Sequence, residues 1–122
     1  MTMNRKGVCY DVGQVMSFNW RPSFEPRVVR RELEIIRKDL HCNAVRVCGL
    51  DIGRLTTAAE MALGQGLEVW LSPLLWDRSP QLTLDYVKKA SIAAETLRQR
   101  WPDKMVFNVG SELTLFMQGI VE

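Results

Sequence analysis

Histidine is nearly missing from this 122-residue sequence, His41 being its single copy. Cysteine is scarce and odd in number, at Cys9, Cys42 and Cys48, with no CxxC pair, and no carboxylates stand together at ligand spacing. A zinc or iron site needs several such donors to converge, so no metal site is expected. Cofactor motifs are missing too: Gly13-Gln14-Val15-Met16, after the first β-prone run, matches neither GxGxxG nor GxxxxGKS/T, the loops that hold phosphates on nucleotide-binding sheets. There is no long apolar run. Met1-Thr2-Met3-Asn4-Arg5-Lys6 leads into a short stretch broken by Asp11 and Gly13, too polar for a signal peptide or a membrane span, so a cytoplasmic location is expected and no membrane partner. Nor is there an excess of one charge. The net charge is +2, and basic and acidic residues interleave, as in Arg30-Arg31-Glu32-Leu33-Glu34, leaving no footprint for nucleic acid.

What is present describes a folded domain. With 47% hydrophobic and 25% charged residues the chain has a globular balance and reads as a single domain over 1–122. Four β-prone runs stand near 7–12, 44–48, 67–71 and 105–110, short and rich in Val, Leu and aromatic residues, as strands buried in a parallel sheet tend to be. Helical patterns alternate with them near 26–40, 52–65 and 80–101. The first places Val29, Leu33, Ile36 and Leu40 on one face and has Pro26 in its first turn. The second runs from the N-cap Asp51 through Leu55, Ala58, Ala59 and Ala62 to a stop at Gly66. The third opens at Ser79-Pro80, carries Leu84, Val87, Ala94, Leu97 and Trp101 inward and is ended by Pro102.

Strand and helix in strict alternation imply an α/β fold with right-handed crossovers between parallel strands. An open doubly wound sheet and a piece of a closed barrel share that order; the missing phosphate loop favours the barrel. A complete (β/α)₈ barrel takes about 250 residues, so half of one fits here, (βα)₃β with four strands.

Function in such barrels gathers at the carboxyl ends of the strands. The polar residues there are Tyr10 and Asp11, Arg46 with Cys48, the segment Ser72 to Asp77, and Ser111 with Glu112. Arg46, between Val45 and Val47, has the parity of a barrel-lining residue, and a buried arginine needs an anionic partner. Trp70, Trp76 and Tyr10 are candidates for a sugar-stacking platform, with mid-strand Trp70 expected in the core instead. Asp11 and Asp77 are candidates to bind sugar hydroxyls, or else local caps. Cys48 is expected as a buried thiol, with a reactive one as the alternative. His41 reads as a cap at the end of the first helix, opposite the mouth.

Val45-Arg46-Val47 and Val109-Gly110-Ser111-Glu112-Leu113 resemble the second- and fourth-strand signatures of the clan of retaining (β/α)₈-barrel glycoside hydrolases, in order and in spacing, over nearly all of the chain. The chain is also similar to actinobacterial proteins described as abortive-infection-like glycosidase homologues. The resemblance implies that Glu112 is a general acid/base and that Arg46 orients the nucleophilic carboxylate. Ser111 stands where the clan has an asparagine that contacts the sugar 2-hydroxyl. The clan's nucleophile lies on a seventh strand, and retaining hydrolysis needs two carboxylates about 5–5.5 Å apart, so these four strands are expected to be inactive alone. The other reading of Glu112 is a structural partner of Arg46, or a solvated strand end.

Half a barrel has two open strand edges and an apolar face, so self-association as a homodimer or higher oligomer is expected. Three functions follow: a glycosidase half with a possible carbohydrate ligand, a non-catalytic self-associating module, and a sugar-binding or phage-defence protein.

Overall fold

The computed structural model describes residues 3–15 and 18–110; Ser111 and Glu112 lie outside the described residues. In chain order the elements are β1 (Gly7–Asp11), β2 (Gln14–Val15), β3 (Phe18–Asn19), α1 (Pro26–Lys38), β4 (Ala44–Gly49), α2 (Ile52–Gly64), β5 (Glu68–Pro73), α3 (Pro80–Arg100) and β6 (Met105–Phe107). Four of the strands form one sheet in the order β1-β4-β5-β6, every neighbouring pair parallel. Each strand therefore lies beside its predecessor in the βα series, and the sheet never reverses direction. Right-handed crossovers that always step the same way stack their helices on one face. This is a half barrel, (βα)₃β.

The helices form where local chemistry starts and stops them. Asp51 caps α2 by accepting from the Arg54 N–H at 2.8 Å, and Ser79 caps α3 through the Leu82 N–H, with Pro80 in its first turn. Gly66, at φ 85, takes the chain out of α2 and into β5.

One face of the sheet is sealed. Val45, Val47, Val69, Leu71 and Tyr10 meet Val29, Leu33 and Ile36 of α1, Leu55, Ala58, Ala59 and Ala62 of α2, and Ala94 and Leu97 of α3 in one buried cluster. Fully burying each of Leu33, Leu55 and Leu71 contributes roughly 1.5–3 kcal/mol. The central helix, α2, presents three alanines to the sheet, which lets it sit close to the strands between its two neighbours.

Several expectations are corrected. Leu40 is 55% exposed, because α1 stops at Lys38 and the chain turns away through His41 at φ 53. Leu84 is 65% exposed: it lies roughly opposite Arg100, which reaches Glu60 of α2, on a side of α3 that meets no helix among the described residues. Trp70 is not in the core but 40% exposed, because its parity puts it on the sheet face away from the helices. Cys9, on that same face, is exposed, whereas Cys42 and Cys48 are buried. The antiparallel β2–β3 pair was not foreseen in the sequence; its two-residue strands are too short to leave a periodic signal. Among the described residues no helix is long and apolar enough to cross a membrane.

Candidate functional site

Alternation along the strands sends every second side chain to the open face. Register aligns them across the sheet: Cys9, Arg46, Trp70 and Val106 share one row, and Asp11, Cys48 and Ser72 the next row toward the carboxyl ends. Asn108, two residues beyond Val106, joins that second row through its side chain.

Arg46 is the half-buried centre of this face. Its Nε donates to Ser72 Oγ at 3.1 Å, and Asn108 Nδ2 donates to the same oxygen at 3.0 Å. Ser72 is fully buried, so its hydroxyl, itself held by Asn108, fixes the Nε of the guanidinium, whose terminal amino groups make no hydrogen bond among the described residues. Ser72 belongs to β5 rather than to the loop after it, since the strand runs on to Pro73.

Among the described residues the two carboxylates of the open face, Asp11 and Glu68, are held by other donors. Asp11 Oδ1 accepts from the Gly13 N–H at 2.7 Å, closing a tight turn at the end of β1. Glu68 Oε1 accepts from Trp70 Nε1 at 2.7 Å and from Arg5 Nε at 2.8 Å, and these donors, the indole first, hold its carboxyl below the usual range. Cys48 lies beside Asp11, with its Sγ 3.6 Å from the Tyr10 carbonyl oxygen; burial first, and the Asp11 charge second, push its thiol from 9.0 up to about 11. It is a protonated, inert thiol at neutral pH.

The remaining candidates are dispersed. Tyr10 points to the helix side, not to the open face: its hydroxyl donates to Glu32 and Arg21 lies over its ring at 5.1 Å, so the face a sugar would stack on is covered. Burial and the Glu32 bond push its phenol well above the usual range. Asp77 is exposed in the loop before α3, at φ 48, and its carbonyl accepts from Arg78. Trp76 is partly buried in the same loop. The structure thus brings Arg46 and Asp11 to one face and leaves Tyr10 behind it.

Two features escaped sequence reading. Ser72, named in the sequence only as part of the segment Ser72 to Asp77, accepts from both Arg46 and Asn108, a meeting set by register between strands that leaves no signal within one strand. Phe18 and Trp20 are exposed after β1 with their rings stacked at 5.6 Å, an aromatic surface on the carboxyl-end side of the sheet. Among the described residues no group of three metal-binding side chains converges. No protein-family model matches the chain, and no curated protein matches it.

Proposed function

We propose that this chain is the first half of a glycoside-hydrolase-like barrel, with Arg46 positioned to orient a carboxylate and Glu112 as the acid/base. The observation that supports the reading is the mounting of Arg46: a guanidinium on the open face of four parallel strands, fixed through Ser72 of β5, which Asn108, just past β6, also contacts. A retaining reaction would draw its second carboxylate from a further strand, so four strands alone bind a sugar without cleaving it. Phe18 and Trp20 replace Tyr10 as the stacking surface in this reading.

The test is ligand-observed NMR with neutral methyl β-glycosides, alongside turnover of aryl β-glycosides by wild type and Glu112→Gln. Saturable binding weakened by Glu112→Gln, with no turnover above buffer, supports the reading. Loss of the reading follows if no glycoside binds.

A second reading, a self-associating half-barrel module, is favoured by one observation: Trp70 stands exposed on an open face whose sheet, among the described residues, ends in the edge strands β1 and β6. A second copy of the chain is the partner, and the solution mass tests it.

A further inference from the structure

We propose that the open face of the sheet carries an anion site centred on Arg46, which takes a carboxylate attached to a six-membered ring, the ring lying against Trp70. The site shares Arg46 with the glycosidase reading, but it requires neither Glu112 nor hydrolysis.

Among the described residues the terminal amino groups of Arg46 make no hydrogen bond and no carboxylate pairs with it. The two described acids on the same face are held elsewhere, Asp11 by the Gly13 N–H and Glu68 by Trp70 and Arg5. The half-buried guanidinium keeps its terminal amino groups available, and an anion that reaches them gains charge-assisted hydrogen bonds. With Nε already fixed on Ser72, the outer edge presents two parallel N–H groups, the fork that matches a carboxylate.

The surroundings select what the carboxylate is attached to. A cavity of about 280 Å³ opens on this face, lined by Arg5, Gly7, Cys9, Ala44, Arg46 and Trp70 among others. Of the two guanidinium groups in its lining, Arg5 is paired with Glu68 and Arg46 carries no counter-ion among the described residues, so Arg46 is the group an anion would meet. The floor is low because Gly7 and Ala44 have little or no side chain; a Cβ on Gly7 would stand 2.9 Å from the Ala44 carbonyl oxygen, so only glycine permits that approach. Trp70 forms a wall beside Arg46 in the same row, and its indole N–H is tied to Glu68, which holds the ring in place. The volume lies at the small end of ligand pockets, matching one ring rather than a chain of them. An aryl carboxylate and a sugar carboxylate share this chemistry.

The experiment is calorimetric or NMR titration of the full chain with benzoate and glucuronate, and with their neutral counterparts benzyl alcohol and glucose, at low and moderate salt. At least one carboxylate is expected to saturate while its neutral counterpart binds at least tenfold more weakly, a difference of about 1.4 kcal/mol. Preference for benzoate identifies the aryl source and preference for glucuronate the sugar source. Arg46→Gln is expected to remove the charge preference; if it fails to fold, Arg46→Lys keeps the charge without the fork and is expected to weaken binding severalfold. Trp70→Leu is expected to weaken benzoate and glucuronate more than acetate. Equal binding of charged and neutral compounds, no binding of either carboxylate, or a preference unchanged in Arg46→Gln would overturn the proposal. Binding of neutral glycosides without any carboxylate preference ends this proposal and leaves the glycosidase reading standing. Carboxylate binding without neutral glycoside binding does the reverse.

Discussion

Arg46 of β4 donates through Nε to Ser72 of β5 at 3.1 Å, and this contact ties a cation in the middle of the open face to a fully buried hydroxyl. Removing the hydroxyl leaves two donors, from Arg46 and Asn108, facing a small void. Ser72→Ala is expected to lower unfolding stability by about 1–3 kcal/mol, read from urea denaturation, and to weaken carboxylate binding in parallel. A variant as stable as wild type would show that the hydroxyl does not hold the guanidinium.

Arg54 anchors the segment between β1 and α1. Its Nη1 donates to the carbonyls of Val12 at 3.2 Å and Arg21 at 2.7 Å, and its guanidinium lies over the Phe24 ring at 5.4 Å. Bonds from a charged donor to two backbone acceptors set the scale of the loss at about 2–3 kcal/mol for Arg54→Ala. The Trp20 amide, which donates to the Gly13 carbonyl at 3.1 Å, should then exchange hydrogen faster, while amides of β4 and β5 change only through the global loss.

Alkaline pH should destabilise the protein. Burial raises the Cys48 thiol to about 11 and carries the Tyr10 and Tyr86 phenols above their usual range. Each group holds its proton more tightly folded than unfolded. The contribution is therefore complete below the unfolded value, near 9 for the thiol, and is lost as the pH rises through about 11. Urea midpoints should fall between pH 9 and 11, and at pH 8 iodoacetamide should modify exposed Cys9 well before Cys42 or Cys48. Simultaneous modification of all three cysteines would contradict the burial order.

If copies of the chain meet through the open face, Trp70 is near the centre of the contact. Light scattering during size-exclusion chromatography should give a mass above that of one chain, and Trp70→Glu should return it to the monomer mass by placing a charge on that face. A wild-type monomer at every concentration would end the self-association reading.

Much of the fold is legible in the residues themselves. Helix α2 is framed by Asp51 and Gly66, and α3 by Ser79-Pro80 at its start, because caps and stops act within a few residues. Leu84 shows where such reading stops. Its spacing suits an inward face, yet burial depends on whether another element covers that side of α3, and helical periodicity carries no record of neighbours. Trp70 makes the same point for strands: a large aromatic in a β-run suggests a core, but which face is covered is settled by the path of the crossovers.

The candidate site divides likewise. Alternation around Val45 and Val47 marks Arg46 as facing away from its neighbours, a property of one strand and readable from it. That Ser72 meets Arg46 across 26 residues and Asn108 across 36 depends on register between strands, and that Tyr10 turns back to Glu32 depends on how α1 packs on β1. The sequence by itself determined the alternation of strand and helix, the caps, and the parity of each strand, because these arise from interactions within a few residues. Only the tertiary structure decided the order of the sheet, the single covered face and the company of Arg46, because those follow from how distant segments bury their apolar surface together.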